Sequence, residues 1–245
     1  MMSYWPASSF GKHCQILSLH GMQLDMSIAL ASQSVTEEHL RKDVSPLVMT
    51  AIYDPHINLV VWQRQLQIEL QNYIDALTQG LNALQLRTVI APAEVGEWLS
   101  GLLPEDPRRG LFVDDVRQLA EMYADLFELT TVGLRLSLIH ETMCPRFHTD
   151  HLICRMVTTY HGQGSEWLKE EDVDRSKLGA GAKGLPDHLS GIYRHQNAIQ
   201  QLQQGEVALL KGDGWMDSQV SGIVHRSPHI HKTEKRLLLT LDFAE

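Results

Sequence analysis

The 245-residue sequence predicts an α+β fold, in which amino-terminal helices pack on a carboxy-terminal antiparallel barrel or jelly roll. Two observations lead to this prediction. Apolar residues recur at helical spacing before Thr131, and they alternate with polar residues after it. The strand candidates after Thr131 are short, and none is followed by the crossover helix that neighbouring parallel strands require.

Helical periodicity is clearest in three segments of the amino-terminal half. The first ends near Gly80 and has apolar residues at steps of three and four, namely Leu59, Trp62, Leu66, Leu70, Tyr73, Ile74 and Leu77. A short second helix is predicted in "PAEVGEWLSGLL", which begins at Pro92, and a third in "LFVDDVRQLAEMYADLFELT". We therefore predict a helical region over residues 51–130, preceded by an irregular segment over residues 1–50.

Five segments after Thr131 are predicted to be strands. They are "VGLRLSLIH", "HLICRMVTTY", "GEVALLKG", "SGIVHRS" and "KRLLLTLDFA", and the first alternates leucines with Arg135 and Ser137. A polar, glycine-rich stretch over residues 169–191 is predicted to be a long mobile loop that could serve as a lid. No linker separates the two halves, so we expect residues 131–245 to form a jelly-roll metal-binding core that makes one integrated domain with the helices.

Composition argues against several classes of protein. The formal net charge is −9, and no cluster of lysine and arginine indicates a nucleic-acid partner. No apolar run reaches the roughly 18 residues of a membrane span, and the first residues lack the order of a secretory signal. The three cysteines, Cys14, Cys144 and Cys154, are typical of reduced thiols, so we expect a cytoplasmic protein.

A candidate metal site comprises His148 and Asp150 in "PRFHTDH" and His225 in "GIVHRSP". Two histidines and one carboxylate on one face of a divalent ion are typical ligands of non-haem Fe(II), and they leave positions open for oxygen or a chelating substrate. About one His-x-Asp triplet is expected by chance in this composition, so the pair alone indicates nothing. The downstream His225, followed eleven residues later by Arg236, strengthens the interpretation.

That order of residues resembles the Fe(II)/2-oxoglutarate-dependent dioxygenase superfamily, over about residues 130–245. The resemblance implies a double-stranded β-helix of the jelly-roll type, with His148, Asp150 and His225 as iron ligands and no further catalytic residue. It also implies that Arg236 binds the distal carboxylate of the cosubstrate 2-oxoglutarate, for which a planar guanidinium is well suited. The implied activity is the oxidation of an unidentified small molecule or peptide.

Three more side chains are weaker candidates for contacts to an anionic cosubstrate. Arg155 and Tyr160 follow the ligand pair within "HLICRMVTTY", and roles in packing or at the surface remain open for both. Lys211, in "LLKGD", could provide a second anion contact, although a solvated lysine in a turn is the favoured interpretation.

A second resemblance covers about residues 50–245. The segments "IYDPHINLVVW", "PRFHTDH", "TTYHGQGSEWL", "GEVALLKG", "HRSP" and "RLLLTLD" are similar to an uncharacterised bacterial family, domain-of-unknown-function family 1826. That resemblance implies no established activity. It also implies a gene located near zinc-homeostasis genes, which keeps zinc open as the metal. The alternative hypothesis is a zinc-binding jelly-roll protein of metal homeostasis without oxygenase turnover, in which water or Cys154 adds a fourth ligand.

Overall fold

The computed structural model describes residues 39–216 and 218–244. These residues fall within one compact unit, Thr36–Glu245. Most of the irregular segment predicted over residues 1–50, including Cys14, lies outside the described residues. Among the residues that are described, no helix is both long and apolar enough to cross a membrane.

The architecture is a mixed α/β arrangement with one large sheet and one small sheet. The described residues contain ten strands: β1 (Leu40–Asp43), β2 (Leu59–Trp62), β3 (Leu84–Ile90), β4 (Val132–Ile139), β5 (Cys154–His161), β6 (Glu166–Leu168), β7 (Ile199–Gln201), β8 (Val207–Lys211), β9 (His225–Arg226) and β10 (Arg236–Phe243). Seven strands form one sheet in the order β1-β2-β8-β5-β10-β4-β3, and three form another in the order β7-β6-β9. Neighbouring strands are antiparallel except for β1 and β2, which are parallel.

The helices belong mainly to the amino-terminal half. They are α1 (Ile68–Gly80), α2 (Val95–Leu102), α3 (Arg109–Phe127) and the single turn α4 (Asp187–Ser190). Short 3-10 helices lie at Pro46–Tyr53, Pro92–Glu94, Glu170–Asp172, Arg175–Lys177, Gly179–Ala182 and Gln196–Ala198. Residues 169–191 therefore contain several short helical turns, although the sequence predicts a loop there.

The region predicted to be helical contains two strands as well as helices. The prediction of a helix that begins at Leu59 was wrong in its first part. Leu59–Trp62 forms β2, and α1 begins only at Ile68. Leu59, Val60 and Val61 are all fully buried, since β2 lies inside the sheet between β1 and β8. A strand that is covered on both faces has a continuous apolar run, and such a run also satisfies a helical pattern.

The two faces of the seven-stranded sheet have different neighbours. Alternate strand side chains, including Leu134, Leu136 and Leu239, share the largest hydrophobic cluster with the buried faces of α1, α2 and α3. Side chains of the opposite face, including Val157 and Leu210, form a second cluster with residues on or beside the small sheet, such as Trp167, Leu202 and Ile223. The candidate ligands lie at the edge of this second layer.

Candidate metal centre

His148, Asp150 and His225 converge, although two of them are separated from the third by more than 70 residues. One potential ligand atom from each side chain lies within 4.8 Å of the other two. Nε2 of His225 is 3.6 Å from Oδ2 of Asp150, and Nε2 of His148 is 3.7 Å from Oδ1 of the same carboxylate. The predicted donor set is therefore assembled in one place.

A backbone bridge brings the two histidines together. The amide of His148 donates to the carbonyl of His225 at 3.0 Å, and the amide of His225 donates back to the carbonyl of His148 at 3.0 Å. Residues that exchange both hydrogen bonds lie directly opposite each other and present their side chains on the same face. The imidazole ring centroids are accordingly 4.6 Å apart.

Both imidazoles are oriented through Nδ1. Nδ1 of His148 lies 2.9 Å from the carbonyl oxygen of Arg146, and Nδ1 of His225 lies 3.2 Å from that of Ile223. A carbonyl oxygen can only accept, so each Nδ1 carries a proton, and Nε2 is the ring nitrogen that is left to face a metal. Burial lowers the pKa of His225 to about 4, against the opposing effect of Asp150, so this ring is neutral at physiological pH.

Asp150 is held by a chain of charged groups. Nη1 of Arg155 donates to Oδ2 of Asp150 at 2.8 Å. The same guanidinium donates through Nε and Nη2 to the two carboxylate oxygens of Asp242, at 2.7 and 3.0 Å. Arg155 therefore bridges a carboxylate of the candidate centre and a carboxylate of β10, and this fork restricts how Asp150 can rotate.

The turn Gly212-Asp213-Gly214 supports the loop that carries Asp150. The backbone amide of Asp213 donates to the carbonyl of Asp150 at 2.8 Å, and the hydroxyl of Thr149 donates to the Asp213 carboxylate. A Cβ atom at Gly212 would lie 2.0 Å from the carbonyl oxygen of Leu152, so only glycine permits this approach. The sequence interpretation missed Asp213, although the Gly-Asp-Gly pattern is a turn signal that could have identified it.

Arg236 lines the same cavity as the two histidines. This cavity has a volume of about 160 Å³, and its wall includes His148, Arg155, Ser165, His225 and Arg236. Two of the three candidate ligands therefore share a cavity wall with a cationic side chain.

The buried guanidinium of Arg236 is 1% exposed and forms no ion pair within the described part of the chain. Its hydrogen bonds go to two hydroxyl oxygens, those of Thr159 at 3.0 Å and Ser165 at 2.9 Å. Burial lowers the pKa of Arg236 to about 10, which still leaves the group charged at neutral pH. A buried charge without an anionic partner is costly, so this group has the environment of a binding site for an anion.

Other predicted residues lie elsewhere. Tyr160 lies on the helix side of β5, where its hydroxyl donates to Asp115 at 2.5 Å. Its side chain points away from the cavity because it is five residues from Arg155, and residues an odd number apart on a strand face opposite ways. Cys154 shares that face, and burial raises the pKa of its thiol, so it is not a fourth ligand. Lys211 is not a solvated turn residue: it is 1% exposed, and its Nζ donates to the carbonyl of Asp54 at 3.0 Å.

The donor set fits a divalent transition metal. Two atoms that each lie roughly 2.0–2.2 Å from one ion can be no more than about 4.4 Å apart. Both carboxylate–imidazole separations, 3.6 and 3.7 Å, are inside that limit. Two imidazoles and one carboxylate suit non-haem Fe(II), and they also suit Zn²⁺ with an open fourth position.

Comparisons with known proteins complete the description of the chain. Dioxygenase for auxin oxidation 1 from Arabidopsis thaliana, solved with 2-oxoglutarate, is 11% identical, with 84% of this chain and 91% of that chain covered and a TM-score of 0.48. A Pseudomonas putida prolyl-4-hydroxylase is 10% identical, with 83% and 100% covered and a TM-score of 0.45. No curated protein shows significant sequence similarity. The model of the proteins of unknown function named DUF1826 matches residues 43–242, and the chain therefore belongs to that family.

Proposed function

We propose that the protein is a non-haem Fe(II)- and 2-oxoglutarate-dependent oxygenase, in which His148, Asp150 and His225 bind the iron. One observation carries the proposal: His148 and His225 line a cavity together with Arg236, a buried cation that has no carboxylate partner among the described residues, and Asp150 lies next to both imidazoles. A metal site alone would fit many functions. A metal site beside a buried cation without an anionic partner fits a reaction that needs both a metal and a small dicarboxylate.

We propose that the two sheets form a double-stranded β-helix, with the amino-terminal helices packed on the outer face of the larger sheet. The hydrophobic cluster shared by both sheets supports this arrangement, as does the separate cluster shared by the helices and the opposite sheet face.

Arg236 binds the distal carboxylate of 2-oxoglutarate in this proposal. The hydroxyls of Thr159 and Ser165 accept hydrogen bonds from Nε and Nη2 of the guanidinium, and they leave the Nη1 donors free for a carboxylate. The cosubstrate would thereby remove the cost of a buried charge that the chain itself does not neutralise.

The remaining side chains prepare the site. Both imidazoles present Nε2 to the site, and Arg155 fixes the Asp150 carboxylate, so the donors are oriented before any metal arrives. When bound, iron supplies the oxygen chemistry, in which 2-oxoglutarate is converted to succinate and carbon dioxide as the substrate is oxidised.

We further propose that the substrate is a small molecule or a peptide and that the protein acts in the cytoplasm. The acidic net charge of −9 disfavours a nucleic-acid substrate, and three cysteines are typical of a reducing compartment. Residues 169–191 are a proposed lid, since their glycines allow movement.

Anaerobic loading of the full chain with Fe(II), followed by 2-oxoglutarate, tests the function. We expect one iron per chain, a change in visible absorption when 2-oxoglutarate is added, and succinate formation in air. His225→Ala should bind no iron, whereas Arg236→Ala should bind iron but have at least about tenfold weaker affinity for 2-oxoglutarate. Unchanged affinity in Arg236→Ala would contradict the role assigned to that residue.

The same ligands could hold zinc in a protein without turnover, and Zn²⁺ has the higher general affinity for such a site. Zinc in a purified sample therefore does not decide between the two functions. Stoichiometric metal binding without any spectral response to 2-oxoglutarate, and without succinate formation, would favour the zinc protein.

A further inference from the structure

A second and larger cavity adjoins the metal cavity at the end of the seven-stranded sheet. Its volume is about 610 Å³, within the roughly 300–1,000 Å³ that is usual for ligand pockets. Arg135 and Arg155 line both cavities, so the two cavities are neighbours that meet at these side chains. A molecule bound in the larger cavity would therefore lie beside the candidate metal centre.

Two arginines stand opposite each other in the wall of this second cavity. Arg87 of β3 pairs in register with Arg135 of β4, so their side chains lie on the same face of the sheet. Like charges directly opposite one another destabilise a pair of strands. The arrangement therefore has a cost that the folded chain has to offset elsewhere.

The chain does little to neutralise this pair. Arg87 has no hydrogen bond or ion pair to any residue that the structure describes. Arg135 comes no nearer to a carboxylate than 3.8 Å, to Oδ2 of Asp242. That carboxylate is already bound by the fork of Arg155 at 2.7 and 3.0 Å. Both guanidinium groups consequently have donors available for an anion.

Apolar side chains form another part of the wall. Val89 is 56% exposed and Ile153 is 41% exposed, and both line the cavity together with Leu152. Val89 follows Arg87 by two residues on β3, so it lies on the same strand face. A ligand that contacts the arginine pair can therefore also cover exposed apolar surface.

We propose that this cavity binds the primary substrate, and that Arg87 and Arg135 together recognise a carboxylate or phosphate group on a molecule with an apolar body. The statement that the ligand of this cavity is a substrate rests on the proposed oxygenase function. The recognition itself rests only on the arginine pair and the apolar wall. Two adjacent planar guanidinium groups suit an oxyanion, which accepts several parallel hydrogen bonds.

Protection of the sheet edge is a simpler role for Arg87, because β3 is an edge strand and charged residues discourage pairing with another chain. One charge on the edge strand suffices for that purpose. It does not require a second arginine directly opposite on β4, inside the same cavity. The pair therefore favours ligand recognition.

Calorimetric titration of the metal-free full chain with phenyl phosphate, benzoate and benzyl alcohol tests the proposal. These probes share an aromatic body, and only the first two carry an oxyanion. We expect one of the two anions to bind with 1:1 stoichiometry and benzyl alcohol to bind at least about tenfold more weakly. In the double variant Arg87→Gln/Arg135→Gln, the affinity for the anion should fall at least about tenfold.

Arg194→Gln is the matched control, since Arg194 is exposed, lies outside both cavities and has no hydrogen bond or ion pair to a described residue. It should bind the anion as the unaltered chain does. The double variant should keep or raise its melting temperature, because it removes a like-charge contact. Equal anion affinity in the double variant, equal binding of benzyl alcohol, or no binding of either anion would overturn the proposal. Succinate formation is measured separately, so failure of the oxygenase function gives a different result.

Discussion

A mostly buried arginine, Arg64, lies on one side of the seven-stranded sheet and a fully buried one, Arg236, on the other, and the two differ in their partners. On the helix side, Arg64 binds both oxygens of Asp115 at 2.6 and 2.9 Å, and Tyr160 donates to the same carboxylate. On the cavity side, Arg236 contacts only hydroxyl groups. Where the chain supplies the counter-ion of a buried charge, removing that counter-ion destabilises the fold. A buried charge that the chain leaves without an anion identifies where a ligand can bind.

The largest effect should come from breaking the paired arginine. Asp115→Ala leaves the Arg64 guanidinium and the Tyr160 hydroxyl without their acceptor, so the free energy of unfolding should fall by roughly 3 kcal/mol or more. Urea unfolding followed by circular dichroism measures this change. Asp114→Ala is the control, because its carboxylate is 71% exposed and 3.6 Å from Arg117, and we expect a change below about 0.5 kcal/mol. Equal losses of unfolding free energy in Asp115→Ala and Asp114→Ala would contradict the stabilising role assigned to the contacts of Asp115.

The next effect concerns the ion pair that orients a ligand. Arg155→Gln frees the Asp150 carboxylate to rotate, so metal affinity should fall by about 10- to 100-fold. Anaerobic titration with Fe(II) in competition with a chelator measures it. If the affinity of this variant matches that of the unaltered chain, Arg155 supports the sheet through Asp242 and has no role in positioning the ligand.

A smaller effect is expected at Tyr160. Tyr160→Phe removes one hydrogen bond to Asp115, and the free energy of unfolding should fall by about 1 kcal/mol. Affinity for 2-oxoglutarate should not change, since the side chain lies on the other face of the sheet. A specific loss of cosubstrate binding would show that the helix-side face communicates with the cavity.

The smallest effect on stability is expected at the unpaired arginine itself. Arg236→Met replaces a buried charge that has no anionic partner by a shorter, unbranched apolar chain, so the free energy of unfolding should stay within about 1 kcal/mol or rise. Thermal unfolding of the metal-free protein provides the measurement. A large loss of stability would mean that the two hydroxyl contacts make Arg236 a structural residue.

The sequence was most informative where the residue type itself determines the chemistry. His148, Asp150 and His225 were identifiable because two imidazoles and a carboxylate are a typical ligand set, and they converge as predicted. The alternation of leucines in β4 likewise identified the strand and its buried face. Both inferences depend on local patterns that tertiary contacts preserve.

Other features could be identified only from the tertiary structure. Leu59–Trp62 has apolar residues at helical spacing and becomes a strand only because β1 and β8 flank it. The error at Tyr160 was avoidable, since Arg155 and Tyr160 are five residues apart and cannot face the same side of a regular strand. The partners of Arg236 were inaccessible to sequence analysis, because the absence of a nearby carboxylate is a property of the packed structure.

The mutual amide hydrogen bonds of His148 and His225 fasten the two ends of residues 149–224 to each other through the ligands' own backbones. A cation bound by the same two side chains would be a second link between the ends of this segment, in addition to the two backbone hydrogen bonds. Loss of such a cation would therefore make the whole intervening segment, including the proposed lid, less stable against local unfolding, and that unfolding would begin at His148 and His225.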